Sequence, residues 1–465
     1  MISEDTLYLT VLELAERIRS RQVSPVELTQ AYLDRSRKYG PALNAYATLT
    51  PDLALQQAKQ AETEIQQGHY RGPLHGIPYA AKDLLAVKGY PTTWGAKPYA
   101  NQRFDYNATV IQRLDDAGAV LLGKAAMIEL AGGMGYRFTS ASATGAAKNP
   151  WKTDCWTCGS SSGSGAIVAS AMAAFAIGTE TWGSILCPSA FCGISGLRPT
   201  FGRVSRYGAM ALAYSMDKIG PMCRSAQDCS VVLAAISGHD GRDAGSLADA
   251  QARFAYAAPA KPLRIGRMVN AWDKVDPEVA AAFDQAVDIL RASSASISDV
   301  ELPQGPWEAA GNVTINVEVA SAFAKLIESG GAAQLTDPLG RIGGYVAQTT
   351  RADDYLRAQQ IRRVLQQKMD EIFARSDVLI APSQPIPAPT LDTNLETELS
   401  FADPVGGLGN ICGLPAASVP CGFTKSGLPI GIQFMSQILN DSAVIATANA
   451  FQDKTEWNRR QPPLG

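Results

Sequence analysis

Residues 107–122 read NATVIQRLDDAGAVLL, which predicts a helix followed at once by a strand. Asn107 can cap a helix whose apolar side chains recur every three or four residues, and Gly118 marks its end. Residues 119–122 form a short apolar run bounded by glycines, which is typical of a buried strand. The stretch therefore predicts the alternating helices and strands of an α/β fold.

The same alternation continues outward in both directions along the chain. Strand-like apolar runs lie at residues 76–81, 263–268, 377–381 and 428–434. Before the third of these runs, Asp276 and Pro277 can open a helix with one apolar face. Alternation spread over the whole chain favours one large sheet flanked by helices, so we expect residues 1–465 to form a single domain.

Two regions are predicted to hold helices without strands. Residues 1–70 contain two helix starts, a Thr10–Glu13 capping box and a Ser24–Glu27 box with Pro25 at the first helical position. We expect these helices to pack outside the sheet. Residues 304–367 show no clear strand pattern, and we expect them to form a helical lid or pocket wall.

The charge balance excludes some classes of function. The 465 residues include 41 Lys and Arg against 44 Asp and Glu, so no cationic field is available and we expect no nucleic-acid binding. The longest apolar run, residues 166–178, is too short for a membrane-spanning helix, and we expect no membrane association. Residues 1–5 lack the basic start of a signal peptide, which favours a cytoplasmic location.

The cysteine pattern gives little sign of a metal or redox role. Eight cysteines in so long a chain do not indicate a disulfide framework. Cys155 and Cys158 form an isolated C-x-x-C without a second pair or a nearby histidine, so no zinc site can be assembled locally. The pair also leads into a Gly/Ser loop and not into a helix, so we expect no thioredoxin-like role.

A Gly/Ser loop, CGSSSGSG at residues 158–165, precedes a run of small residues, 166–174, that favours a closely packed helix. Free N–H groups at the start of such a helix favour negative charge. A phosphate-binding loop is nevertheless disfavoured because no G-K-[ST] follows and no G-x-G-x-x-G is present. On its own the segment is better interpreted as a flexible turn.

A second serine turn and a lysine suggest acyl-transfer chemistry. Gly183 before Ser184 allows consecutive N–H groups to converge on one oxygen, as an oxyanion hole requires. None of the three histidines is marked as a base for a serine nucleophile. Lys82 ends an apolar run, where burial would lower its pKa and leave a neutral amine as the base. Pairing of Lys82 with Asp83 at the surface is an equally good local interpretation.

Together these segments resemble the amidase signature family of serine hydrolases, whose hallmark is a Ser–cis-Ser–Lys triad. The similarity is strong over residues 72–232, the predicted core, and returns over residues 377–465, its predicted C-terminal part. It implies one large mixed twisted sheet sandwiched between helical layers. The matching motifs are GIPYAAKD at 76–83, GSSSGS at 159–164, GTETWGSI at 178–185, PSAFCGISGLRPTFGRVS at 188–205, DKIGPM at 217–222, GLPA at 413–416 and GLPIGIQ at 427–433.

The resemblance implies a role for each matching residue. Ser184 would be the nucleophile, Ser160 the bridging serine held through a cis peptide, and Lys82 the base. Gly133, Met134 and Gly135 fall where the family has a loop that contacts the acyl group. The implied oxyanion hole consists of the backbone N–H groups of Thr181, Trp182, Gly183 and Ser184. No metal or organic cofactor is implied.

Four positions depart from the family pattern. Trp182 replaces a glycine, and its ring would either line the acyl pocket or pack behind the turn. Glu180 stands for the usual aspartate, Leu186 for a frequent arginine, and Cys158 for a glycine at the loop start. Leu186, Cys187 after it and Cys158 favour a more apolar site. Loss of the arginine and the added Trp182 argue against a small, charged substrate.

We therefore expect a monomeric or homodimeric amidase that acts on small-molecule apolar or aryl amides, and on carbamates (urethanes) or esters through the same chemistry. The alternative is the glutaminase (A) subunit of a tRNA-dependent amidotransferase, which needs partner subunits. A catalytically silent binding protein is disfavoured, because Lys82, Ser160 and Ser184 are all present.

Overall fold

The computed structural model describes residues 2–292, 296–399 and 403–464. Met1 and Gly465, the ends of the predicted single domain, lie outside the described residues, as do 400–402 in its predicted C-terminal part. In the described ranges the strands are β1 (Tyr46–Leu49), β2 (Pro78–Lys82), β3 (Val120–Ala125), β4 (Lys148–Asn149), β5 (Lys152–Trp156), β6 (Phe175–Glu180), β7 (Ser195–Arg198), β8 (Lys218–Cys223), β9 (Arg264–Met268), β10 (Ser296–Val300), β11 (Val378–Pro382), β12 (Ala416–Phe423) and β13 (Pro429–Ser436).

Eleven of the described strands form one mixed sheet, in the order β1-β3-β2-β6-β8-β7-β12-β13-β11-β9-β10. Parallel pairs join β3, β2 and β6 on one side and β11, β9 and β10 on the other. The strands between β6 and β11 pair antiparallel. The single large mixed sheet expected from the sequence is confirmed.

Side chains on both faces of the sheet are shielded from solvent near its centre. Every residue of β2, β3, β6 and β8 is buried, although successive side chains of a strand point to opposite faces. Helices therefore cover both faces, as they do in α/β proteins. The edge strand β10, in contrast, has no buried residue.

The helices lie between the strands in sequence. In the described ranges they are α1 (Glu4–Leu7), α2 (Val11–Arg19), α3 (Pro25–Leu43), α4 (Pro51–Gln66), α5 (Thr109–Asp116), α6 (Ser162–Ala169), α7 (Leu186–Cys192), α8 (Ala226–Ile236), α9 (Asp249–Ala252), α10 (Pro277–Ala292), α11 (Trp307–Ala322), α12 (Ala324–Glu328), α13 (Gly340–Ala347), α14 (Ala352–Phe373), α15 (Pro404–Ile411) and α16 (Asp441–Gln452). None of them combines the length and the apolar character needed to cross a bilayer.

Most of the predicted helix starts are present. The Thr10 side chain accepts the Glu13 N–H while the Glu13 carboxylate accepts the Thr10 N–H at 2.8 Å, which confirms the capping box. The carboxylate of Asp276 accepts the Glu278 N–H at 2.8 Å at the start of α10. The predicted cap at Asn107 is wrong, because its side chain accepts the Lys88 N–H and closes a neighbouring loop instead.

The two regions predicted to lack strands are largely helical, although the first of them contains a short strand. Residues up to 70 contain α1 to α4 and the short strand β1. This layer is attached to the core by Arg35, whose Nε donates to the Ser170 carbonyl at 2.7 Å. Residues 304–367 contain α11 to α13 and most of α14, without a strand among the described residues.

Candidate active site

Lys82 and Ser160 meet at the end of β2. The Lys82 Nζ donates to the Ser160 Oγ at 2.7 Å and to the Thr179 Oγ1 at 2.9 Å. β2 and β6 are adjacent and parallel, with Ala81 opposite Ile177, so the register brings Lys82 beside the end of β6. The peptide bond between Gly159 and Ser160 is cis, as the resemblance implies.

The surroundings of Lys82 favour its neutral form. Its side chain is fully buried, and burial lowers its pKa to about 7, against the opposing effect of the carboxylates of Asp217 and Glu180. Asp83 does not pair with Lys82. It forms a buried ion pair with Lys124 at 2.8 Å instead, which excludes the surface pairing that the local sequence left open.

Ser184 lies in the turn that follows β6. Gly183 has φ +75°, a left-handed conformation that glycine adopts without a steric penalty. The Ser161 N–H donates to the Ser184 carbonyl at 3.3 Å, which joins this turn to the loop that holds Ser160. The Ser184 Oγ makes no hydrogen bond to Ser160 within the described part of the chain. The structure thus links Lys82 to Ser160 and places Ser184 on the adjoining turn.

The backbone of this turn offers hydrogen-bond donors. Among the described residues, the N–H groups of Trp182, Gly183 and Ser184 donate to no protein acceptor. Consecutive free donors in one turn are what an oxyanion hole needs. We call residues 181–184 the oxyanion turn.

Glu180 holds the far side of the turn. Its carboxylate accepts the Ile185 and Leu186 N–H groups at 2.8 and 3.0 Å, and Arg198 donates to it at 2.7 Å. Burial raises the pKa of Glu180, but Arg198 and the two N–H groups outweigh this effect and hold the pKa below its ordinary value. A charged Glu180 therefore fixes the two residues that follow Ser184.

Asp217 is a site residue to which the sequence analysis assigned no role. Its carboxylate accepts the Thr181 hydroxyl at 2.5 Å and the Leu212 N–H at 2.8 Å. Its only sequence signal was its place at the start of the DKIGPM motif. Thr181 is thereby tied to the loop before β8.

The Trp182 ring packs behind the turn. A Cβ added at Gly311 of α11 would lie 2.4 Å from the ring, and one added at Gly407 of α15 would lie 2.7 Å from it. The indole Nε1 donates to Asp403 at 3.0 Å. The second of the two orientations that the sequence left open is therefore the one observed.

The loop of Gly133, Met134 and Gly135 lies under the helical region. Met134 is buried, and a Cβ added at Gly343 of α13 would lie 1.8 Å from its carbonyl oxygen. A Cβ added at Gly133 would lie 3.1 Å from the side chain of Val319 in α11. The structure therefore places this loop against residues 304–367, and its contact with an acyl group stays a prediction.

Two cysteines are joined beside the serines. Cys158 and Cys187 form a disulfide with a Cα–Cα distance of 5.9 Å. The sequence analysis did not foresee this bond, because the partner of Cys158 is not Cys155 but a residue 29 positions away in sequence. Cys155 is a free, buried thiol. No group of three potential metal ligands is present among the described residues.

A cavity of about 230 Å³ adjoins the oxyanion turn, and most of its lining is apolar. Thr179, Thr181, Asp217 and Lys218 are among the residues that line it. Burial is the main reason that the pKa of Lys218 lies well below its ordinary value. Trp182 is not among the described residues that line this cavity.

This fold and site define an amidase. The family model described as Amidase matches residues 27–445, so the chain belongs to the amidase family, whose enzymes hydrolyse C–N bonds. It is 34% identical to the A subunit of the glutamyl-tRNA(Gln) amidotransferase of Gloeobacter violaceus, over 97% of this chain and 98% of that protein. The corresponding protein of Chloroflexus aurantiacus is 36% identical, over 98% and 99%. The solved peptide amidase of Stenotrophomonas maltophilia is 30% identical with a TM-score of 0.83, over 98% of both chains.

The expected preference for apolar or aryl amides is wrong. The full-length curated relatives are amidotransferase A subunits. The Trp182 ring, which the expectation invoked, packs against two helices and is not among the described residues that line the adjoining cavity. Asp217 and Lys218 line that cavity together with apolar side chains such as Met210 and Leu212.

Proposed function

We propose that the chain is the glutaminase subunit of an amidotransferase and releases ammonia from a small carboxamide such as glutamine. The observation that carries this proposal is the 2.7 Å hydrogen bond from the Lys82 Nζ to the Ser160 Oγ, at a fully buried lysine beside the Ser184 turn. A pKa of about 7 leaves Lys82 substantially neutral at physiological pH, as a general base requires.

In the proposed mechanism, Ser184 attacks the amide carbonyl carbon and loses its proton to Lys82 through Ser160. The N–H groups of the 181–184 turn stabilise the oxyanion of the tetrahedral intermediate. The Lys82 ammonium then returns a proton through Ser160 to the leaving nitrogen, the C–N bond breaks, and ammonia departs. Water next attacks the Ser184 ester by the same route, which releases the carboxylic acid and restores the serine.

Two observations support a small polar substrate. The relatives that match over their full lengths are named as A subunits of an amidotransferase. The cavity beside the turn, about 230 Å³, is below the range of about 300–1,000 Å³ usual for drug-sized ligands, and its lining includes the charged side chains of Arg206, Arg242 and Asp243. Both favour a compact amide over a bulky aryl amide.

The same proposal changes the expected partners. The relatives are named as one subunit, A, of an amidotransferase that acts on a glutamyl-tRNA. We therefore propose that this chain works in a complex with further subunits, which bind the tRNA. A net charge of −3 on this chain is compatible with that division, because the RNA would contact its partners. This replaces the expectation of a lone monomer or homodimer.

We further propose that residues 304–367 form a wall of the site. The Glu318 carboxylate of α11 accepts the Ser215 N–H at 2.9 Å, and Arg362 of α14 donates to the Ser215 carbonyl at 2.9 Å. Ser215 is two residues before Asp217, which holds Thr181. The helical region is thus fastened close to the oxyanion turn.

Ammonia release from L-glutamine tests the function. The wild-type chain is assayed alone and with the other subunits of the amidotransferase from its own source, and Ser184→Ala is the blank. We expect ammonia from glutamine that rises when the partners are added and is lost in Ser184→Ala. Ser162→Ala, which alters the neighbouring hydroxyl outside the proposed triad, is the matched control and should retain activity.

The same assay includes an anilide, an aryl carbamate and an aryl ester. If the wild-type chain releases no ammonia from glutamine with or without partners, yet cleaves one of these three, the glutaminase proposal is wrong. Loss of all activity in Ser162→Ala as well as in Ser184→Ala would mean that the assay reports damage to the loop and not the nucleophile, and would also count against the proposed triad.

A further inference from the structure

We propose that the Cys158–Cys187 disulfide is a positioning element that holds the two catalytic serines in register, so that the reactivity of Ser184 depends on the redox state of this pair. The inference rests on the proposed function only in taking Ser184 as the nucleophile. It assigns a role to two residues that lie outside the triad and the oxyanion turn.

The first argument is the position of the disulfide. Cys158 is two residues before Ser160, and Cys187 is three residues after Ser184 in the first turn of α7. Between the two serine segments the backbone contributes the Ser161–Ser184 hydrogen bond of 3.3 Å, which is long for an N–H···O bond. The covalent link therefore reinforces a weak contact at the point where Ser160 must meet Ser184.

The second argument is the backbone at Cys158. Its φ of +64° lies in the left-handed region, which costs free energy for any residue with a Cβ. Glycine would occupy this position without that cost. A cysteine there is explained by what its side chain does, which is to reach Cys187.

The third argument is how tightly the neighbouring loop is enclosed. A Cβ added at Gly159 would lie 2.6 Å from Ile128 and 3.4 Å from Trp156, so the backbone beside Ser160 has little free space. The disulfide is buried in the same apolar cluster as these two side chains. A shift at Cys158 therefore passes to Ser160 instead of being absorbed by an open loop.

The redox step is a simple exchange. A dithiol such as dithiothreitol transfers two electrons and two protons, the S–S bond breaks to give the Cys158 and Cys187 thiols, and the dithiol becomes a cyclic disulfide. Diamide accepts two electrons and two protons from the two thiols and restores the bond. Neither thiol enters the acyl-transfer reaction.

Labelling of Ser184 by a fluorophosphonate probe tests the inference without reference to any particular amide. The second-order labelling rate is measured for the full chain before reduction, after dithiothreitol and after diamide. Alkylation and mass spectrometry report the state of the pair, and circular dichroism reports the fold. We expect labelling to fall about tenfold or more on reduction, because small misplacements of reacting groups are costly, and to recover on reoxidation.

Two variants separate positioning from general stability. Cys187→Ala should label at the slow rate in every state and respond to neither reagent. Cys155→Ala removes a free thiol from the same apolar cluster and should keep both the fast rate and the thiol response. If the Cys187→Ala chain does not fold, the labelling rates of the wild-type chain before reduction, after reduction and after reoxidation decide whether the disulfide has a positioning role.

The outcomes distinguish the two proposals. Equal labelling of the oxidised and reduced chains, with reduction verified, overturns the positioning role and leaves the nucleophile intact. Absence of labelling at Ser184 in both states overturns the proposed nucleophile and, with it, this inference. A chain whose two cysteines alkylate before any reductant is added shows that the bond does not form, which also overturns it.

Discussion

At the scale of single residues, the protonation of Lys82 controls the proposed reaction. Its pKa of about 7 lies below the ordinary value because the side chain is buried, and only the neutral amine can take a proton from Ser160. We expect kcat/KM to rise about tenfold per pH unit below pH 7 and to level off above it. Rates measured over a range of substrate concentrations at each pH from 5 to 9 give kcat/KM and test this expectation.

The control for that profile is the stability of the chain over the same range. Folding lowers the pKa of Lys82, so the folded state gains stability relative to the unfolded chain as pH rises above about 7. A circular dichroism signal that is constant from pH 5 to 9 would assign the loss of rate to titration. A flat rate over the range would refute the role of Lys82 as the base.

Thr181 and Asp217 give a second prediction at this scale. Thr181→Val removes the hydroxyl that donates to Asp217 but keeps the backbone N–H of the oxyanion turn. We expect kcat to fall about tenfold with a smaller change in KM, because the turn loses its alignment. Steady-state kinetics of Thr181→Val and Thr181→Ser measure this, and Thr181→Ser should recover most of kcat. Equal losses in both variants would show that the hydroxyl is not what matters.

At the scale of elements, α11 and α15 hold the Trp182 ring through two glycines. Gly311→Ala would put a methyl group 2.4 Å from the ring, so either the helix or the indole must move. We expect a loss of about 1–3 kcal/mol in the free energy of unfolding, typical of overpacking, and a reduced kcat. Denaturant unfolding and kinetics on the same preparation measure both effects.

The matched control for this substitution is Gly241→Ala. A Cβ at Gly241 meets no atom within 4 Å, so its effect should be within about 0.5 kcal/mol. Trp182→Phe together with Gly311→Ala should recover part of the lost stability, because the smaller ring makes room. Additive losses in this pair would show that the methyl group is accommodated elsewhere.

The elements also show which local predictions succeed. The sequence predicts β3 and β9 because buried strands are short apolar runs, and their boundaries differ from the prediction by only a few residues. It misplaces the small-residue helix, predicted over 166–174, because small residues favour close packing anywhere in the run. The helix α6 spans Ser162–Ala169 and stops before Ala171, whose φ is +53°. Tertiary contacts, not composition, set these limits.

The candidate site likewise contains residues that the sequence predicts and contacts that it does not. Lys82, Ser160 and Ser184 could be picked out because each lies in a local motif whose spacing is visible in the sequence. The Cys158–Cys187 bond spans 29 residues, and the orientation of Trp182 depends on glycines more than 120 positions away. Such partners meet only in the folded chain, which is why the sequence could neither predict the disulfide nor decide where the Trp182 ring lies.

At the scale of the whole molecule, the helical region and the sheet differ in how they are held. Residues 304–367 contribute no described strand to the sheet, so their amides are protected by helix hydrogen bonds and side-chain packing alone. We expect hydrogen exchange in α11 to α14 to be faster than in β2 and β6, by local opening below the global unfolding energy. Exchange measured by mass spectrometry on proteolytic fragments resolves the two regions.

A helix of the N-terminal layer serves as a reference for the hydrogen-exchange rates. α3 is fastened to the core through Arg35 and should exchange more slowly than α13. If α11 to α14 exchange at the same rate as β2 and β6, the helical region unfolds only with the sheet, and it is a fixed wall that never opens as a lid.

The strand order has a practical consequence for anyone who wishes to modify this protein. Strands β2 and β6, which lead into the proposed active site, are third and fourth in a row of eleven described strands, whereas β10 is the last of them and has no buried residue. Seven strands therefore separate β2 from β10 across the sheet. A fluorescent reporter or affinity handle inserted directly after Val300 would sit at the far border of the scaffold, and the enzyme could be tethered or tracked there without disturbing the serines.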